Sequence, residues 1–144
     1  MEPNQYNSPE TSILDDIAFT LPSWEQVGGT NTMRRVVELF VDRAVVDPCI
    51  NYDRDGMYPQ RQETIARTKS LALGFLSSAL GGPISYDGRS LADVHQPMAI
   101  NERELEAFLA HFQNAMCECG LPPSVTIQLM VAIAAVRPLI LSSG

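Results

Sequence analysis

Cysteine, histidine and basic side chains are scarce in this sequence, and each scarcity excludes a class of protein. The three cysteines, Cys49, Cys117 and Cys119, are an odd set with no CxxC pair, so no disulfide framework is encoded. Reduced thiols and a cytoplasmic location are expected. Ten Lys and Arg stand against 17 Asp and Glu, a formal net charge of −7, and the ten are scattered, whereas a phosphate backbone needs clustered cations. No nucleic-acid partner is expected. Long apolar runs are also missing. The longest, Leu129 to Val136, ends after eight residues at Arg137, and a bilayer span needs about 20. Met1 to Pro9 lacks the basic flank and apolar centre of a signal peptide. Residues 1–22 therefore read as a tail, flexible or with a short helix, before a single domain over 23–144. There is no GxSxG, HExxH or P-loop, so hydrolase and nucleotide-binding readings have no support.

What is present is enough apolar surface to fold. Of 144 residues 45% are hydrophobic, and a chain this long buries roughly 70% of its unfolded surface without metal or disulfide staples. Periodicity points to helices. From Thr32 to Val46, Met33, Val36, Val37, Phe40, Val41, Ala44 and Val45 recur at three and four residues, with Gly28-Gly29 before them and Asp47-Pro48 after. A second helix over Glu63 to Leu80 places Ile65, Leu71, Ala72, Phe75, Leu76 and Ala79 inward and stops at Gly81-Gly82-Pro83. A short helix is expected from Ser90 to about Gln96. Asn101 caps a helix with an acidic first turn and an apolar ladder through Leu105, Phe108, Leu109, Phe112 and Met116. The last helix, after Pro122-Pro123 with Ser124 as a possible cap, runs to Ile140 and is apolar nearly all round, which suits an interior or a subunit interface. No segment alternates as a strand does. The fold class is all-α.

The two histidines are the informative polar residues. His95 has Leu91 at i−4 and Val94 at i−1, and a histidine so placed is more often a satisfied boundary residue than a ligand. His111 flanks the ladder of its helix and reads as a half-buried side chain. Neither has a second histidine or cysteine at the spacing of a zinc site. One histidine can nonetheless hold an iron whose other ligands come from a porphyrin.

The order of motifs resembles a truncated hemoglobin, the two-over-two helical globins of the glycine-motif group I type, from Trp24 to Leu141. The resemblance is carried by Gly28-Gly29, by Val36-Val37-Glu38-Leu39-Phe40 leading to Asp47-Pro48, and by Phe75-Leu76-Ser77-Ser78-Ala79-Leu80-Gly81-Gly82-Pro83. It continues in Tyr86-Asp87-Gly88-Arg89-Ser90-Leu91, four residues before His95, and in Ile100-Asn101-Glu102 with Leu105 and His111.

The resemblance implies a two-over-two sandwich around heme b, iron protoporphyrin IX, with His95 as the proximal iron ligand. Phe40, Phe75, Leu76, Leu91 and Met98 fall at pocket or neighbouring core positions, with simple core packing as the alternative for each. Arg89 could meet a heme propionate or solvate an exposed turn. The family's polar distal positions correspond here to Val41, Thr68 and Ala72, of which only Thr68 can donate a hydrogen bond. The propionate-binding cation position falls on Leu71, with Arg67 and Lys69 nearby. The loop Cys49 to Gln62 is about six residues longer than the family pattern, and the entrance aromatic is either Tyr52 or Tyr58. Met57 or Cys49 as a sixth iron ligand is the lesser reading beside loop packing.

Distal donors stabilise the negative charge that dioxygen acquires at iron, so an apolar distal side implies loose oxygen binding and disfavours nitric oxide dioxygenase activity. Two functions follow. The first is a heme globin that binds diatomic gases (O2, CO, NO), monomeric or weakly dimeric through the apolar last helix. The alternative is a heme-free globin-fold sensor or protein-interaction module.

Overall fold

The computed structural model describes residues 16–17 and 20–141; most of the expected tail lies outside the described residues. The elements are α1 (Gly29–Val45), α2 (Gln62–Ala79), α3 (Leu91–His95), a 3-10 turn (Gln96–Met98), α4 (Glu102–Glu118), α5 (Pro123–Ala135) and α6 (Arg137–Ile140). No strand occurs among the described residues. Helix α1 packs on both α2 and α4, α4 packs on α5, and α3 lies against α6. Two helix pairs, α1 with α2 and α4 with α5, are thus joined through the α1–α4 contact.

The periodic stripe of α1 is buried as its spacing requires: Met33, Val36, Val37, Phe40, Val41 and Ala44 are 5% exposed or less. All of these but Ala44 share one core cluster with Phe112, Ala115 and Met116 of α4 and Val125 and Leu129 of α5. Phe40 sits edge-on to Phe108 and Phe112, with ring centroids 5.2 and 5.1 Å apart, a geometry in which a ring's positive edge meets its neighbour's negative face. The entrance to α1 depends on Gly28. Its φ is 93°, and a Cβ there would come within 2.6 Å of the Thr32 hydroxyl, so a side chain is refused on both backbone and steric grounds.

Residues 24–28 form successive turns closed by Gly29 N donating to Trp24 O at 2.9 Å. Three sequence expectations need correction. On α2 the buried residues are Leu73, Gly74 and Ser77, while Leu71 and Ala79 are exposed. The contact face was hidden because two of its members are small or polar: a Cβ on Gly74 would lie 3.2 Å from Ser85 O, and the Ser77 hydroxyl accepts from Ile84 N at 2.9 Å. The last helix is broken at Val136, because Pro138 has no N–H for the carbonyl four residues back. Ser124 does not cap it; Pro122 is the cap residue and Pro123 opens the helix, a position where the missing N–H costs nothing.

The outer face of α5 also departs from a buried helix. Ile127 and Val131 are 60% and 62% exposed. Asn101 does cap α4, in a full capping box: its side chain accepts from Glu104 N at 2.8 Å while Glu104 accepts from Asn101 N at 3.1 Å.

Candidate functional site

The short α3 segment carries the residue of greatest chemical interest. Ser90 caps it, its hydroxyl accepting from Asp93 N at 3.1 Å. At its last position His95 Nδ1 lies 2.8 Å from the Leu91 carbonyl. A carbonyl oxygen can only accept, so Nδ1 carries a proton, and in the neutral ring the lone pair is then on Nε2. That bond fixes both tautomer and ring plane, as a metal-ligating histidine requires. The following turn is held by Gln96, whose Nε2 donates to the carbonyls of Leu141 at 2.8 Å and Leu139 at 3.1 Å.

Around His95 the packing is unfinished. Neither α3 nor the 3-10 turn contains a buried residue; Leu91, Val94, His95 and Met98 are all half-buried. The second stripe of α2, Thr68, Ala72, Phe75 and Leu76, is half-buried too. Phe75 meets Tyr86 edge-on at 5.3 Å, and the Tyr86 hydroxyl donates to the Arg89 carbonyl, which ties α2 to the segment that leads into α3. The Arg89 side chain is exposed.

The expected residues on α1, on α2 and in the loop between them have the following surroundings. Phe40 and Val41, at 5% and 1% exposed, belong to the closed α1–α4 core, the core-packing placement named for Phe40. The Thr68 hydroxyl donates to its own helix, at Thr64 O, 3.0 Å. Leu71 is 37% exposed. Lys69 is engaged by Asp42 of α1 at 2.7 Å, and Arg67 is exposed. Met57, 70% exposed, and Cys49, also exposed, lie on the outside of their loop.

Tyr52 and Tyr58 are both half-buried, and burial pushes the Tyr52 phenol above its usual range. Three polar contacts that spacing did not reveal hold this loop and the α1 exit. Arg54 grips Glu104 with both guanidinium nitrogens, Nη2 to Oε1 at 3.0 Å, and the two side chains are 14% and 12% exposed. Burial pushes the Glu104 carboxyl up, but the hydrogen bonds from Arg54 and the Asn101 amide together hold it below the ordinary value. His111 Nε2 meets Asp47 Oδ2 at 2.7 Å, so it is a clamp rather than a merely half-buried ring. That hydrogen bond, with a second from Cys49 N at 2.8 Å, lowers the Asp47 carboxyl. The capping motif at Asn101 flagged Glu104 in the sequence; nothing local flagged Arg54, 50 residues earlier.

The family model of bacterial-like globins matches residues 22–141. The chain belongs to this globin family. Its similarity to curated relatives includes the group 1 truncated hemoglobin GlbN of Mycolicibacterium paratuberculosis, 27% identical over 80% of each chain. Among solved structures, the hemoglobin of the thermophilic phototroph Chloroflexus aurantiacus is 31% identical, covers 81% of this chain and 95% of its own, and superposes with a TM-score of 0.65. The Fe(III) truncated hemoglobin of Tetrahymena pyriformis, 22% identical over 83% of this chain and 97% of its own, has a TM-score of 0.72. The fold is therefore the all-α, two-over-two truncated globin fold, and the globin family implies heme. The site residues fit that group: an oriented imidazole with its lone pair on Nε2, among apolar side chains that the fold leaves incompletely covered. No helix among the described residues is long and apolar enough to cross a membrane.

Proposed function

We propose that the chain binds heme b through His95 and takes up small diatomic gases (O2, CO, NO) beside an apolar distal wall, as a cytoplasmic protein. The observation that carries this reading is the 2.8 Å contact from His95 Nδ1 to the Leu91 carbonyl, which orients the ring and makes Nε2 the donor atom. When bound, the iron supplies the gas-binding chemistry. His95 would hold the iron through Nε2; Leu91, Met98, Ala72 and Phe75 would give the group apolar cover, and the chain would offer it little polar help. Thr68, the distal candidate with a hydroxyl, spends its proton on Thr64 O. Leu71 offers no charge, which leaves Arg89 as the cation nearest the His95 segment in sequence. Without a preorganised donor, charge building up on dioxygen is poorly stabilised, so nitric oxide dioxygenase turnover is disfavoured.

The test is an absorption spectrum of the purified protein in ferric, ferrous and carbonyl forms. Stoichiometric heme with a Soret band that is lost or strongly shifted in His95→Ala is the expected result. Unchanged heme uptake and ligation in that variant overturns the assignment. Less than stoichiometric heme after reconstitution, with a stably folded heme-free dimer, supports the interaction-module reading instead.

A further inference from the structure

Helix α2 is held down only toward its end. Its buried residues, Leu73, Gly74 and Ser77, all lie in the later part, where Gly74 sits close against the Ser85 carbonyl and Ile84 N donates to the Ser77 hydroxyl. From Asn51, through the loop and the earlier part of α2 to Ala72, no residue is buried. Ile65 and Ala72 reach the edge of the core and stay half-buried. Hollows adjoin this stretch at two places. One, of about 540 Å³, is lined by Val46, Asn51, Tyr52 and Gln60. The other, of about 550 Å³, is shared by Ile65, Ala66 and Lys69 of α2 with Arg34 and Val37 of α1.

Residues 81–104 are equally free of buried side chains, but hydrogen bonds pin them. Ser90 caps α3, Asn101 caps α4, and Gln96 holds the carbonyls of Leu139 and Leu141. Residues 51–72 lack such fixings. Arg61, at the cap position of α2, makes no side-chain bond to the helix. Among the described residues, two ion pairs tie the stretch to another helix. Lys69 meets Asp42 of α1, but that aspartate is 62% exposed, and a pair open to water adds little. Arg54 on Glu104 of α4 is the strong tie, two-pronged, with side chains 14% and 12% exposed. The backbone beneath it is strained. Asn51, Arg54 and Asp55 have φ of 52°, 53° and 58°, and asparagine and aspartate enter this left-handed region more readily than arginine does. Arg54 is kept there by its grip on Glu104 and on the carbonyls of Ile50 and Asn51, at 3.0 and 3.1 Å. Letting go of Glu104 releases that strain, which favours an open state.

We propose that residues 51–72 form a lid that opens as one unit about Leu73 and Gly74 and is latched shut by Arg54 on Glu104. The lid carries Thr68 and Ala72, two of the expected distal residues, so its opening uncovers that side of the site and admits a small ligand. This use of the lid rests on the reading of the site given above. The movement does not, and it is measured without reference to heme.

Hydrogen exchange of the full chain, read by mass spectrometry, tests the lid. Amides 66–72 are expected to exchange at one common rate, at least about tenfold faster than amides 75–79 of the same helix. Simple fraying would instead give rates that rise toward Gln62. Arg54→Met is expected to speed 66–72 by at least about a further tenfold, while 75–79 and 112–116 change by less than about twofold. Arg43→Met breaks the exposed pair with Glu118, outside the lid, and is expected to leave 66–72 as it was. A gain guards against a variant that merely misfolds: Arg61→Asp supplies the missing cap and slows 66–72 by about fivefold. Equal rates in the two parts of α2, a gradient rising toward Gln62, or equal speeding of both parts in Arg54→Met overturns the proposal. So does opening in Arg43→Met as large as in Arg54→Met, or no slowing in Arg61→Asp.

Discussion

The two ends of this small sandwich are built to different standards. Where α1 crosses α4, Met33, Val36, Val37, Phe40, Val41, Phe112, Ala115 and Met116 are all 5% exposed or less. Where α2 and α3 carry the candidate site, Thr68, Ala72, Phe75, Leu76, Leu91, Val94, His95 and Met98 are all half-buried. The composition of the two sets is similarly apolar, so the difference does not lie in hydrophobicity. It lies in whether side chains alone fill the space. The first region is closed by its own side chains, and the second is not.

The sharpest way to break that comparison is to remove a ring from each region and unfold both variants without heme. Phe40→Ala is expected to cost about 3–5 kcal/mol, the transfer and cavity cost of a closed site. Phe75→Ala, in the open region, is expected to cost the heme-free protein less than about half of that, because its neighbours can collapse or already meet solvent. Urea unfolding measures both, and equal losses would mean that the two regions are equally packed.

A smaller effect sharpens the role of the loop that borders the open region. Arg54→Met leaves Glu104 without its guanidinium, at an expected cost of about 2–3 kcal/mol after allowing for residual exposure; Arg54→Met/Glu104→Leu should recover most of it. The same clasp has a pH signature. Glu104 is held below the ordinary carboxyl value of 4.5 in the folded chain, so its ionised form is favoured by folding. That contribution is complete above pH 4.5 and is lost as pH falls from there through the folded value. Urea midpoints followed into acid should therefore decline less steeply in Glu104→Gln. Exposed Glu118, lowered by its hydrogen bond to Arg43, falls in the same direction and remains in that variant.

The smallest expected effect concerns Thr68. Because its hydroxyl is bound to Thr64 O at 3.0 Å, Thr68→Val should change the dissociation rate of O2 from the heme form by less than about twofold. A slowing or quickening of tenfold, read by stopped-flow, would show that Thr68 leaves its helix bond to reach the ligand.

Much of the architecture was legible because it is local. The α1 stripe, the Asn101 cap and the stop at Gly81 each follow from residues within a turn of one another. The face of α2 was misread because a sequence pattern weights large apolar residues, and its buried contacts use Gly74 and Ser77. The break at Val136 has a local signal in Pro138. His95 could be singled out by family spacing, but its tautomer could not, since that is set by the Leu91 carbonyl. The Arg54 clasp and the His111 to Asp47 contact join positions 50 and 64 residues apart, and only the assembled helices bring them together.

Gln96 gives the end of the chain an unexpected lever. Its amide holds the carbonyls of Leu139 and Leu141 one residue after His95, and α3 packs on α6. The four-residue α6 is thus the bracket on which the His95 segment is mounted. A cut after Val136, or a bulky fusion that pulls α6 away, would release the turn after His95 from a segment 43 residues away, without altering a single residue of α3.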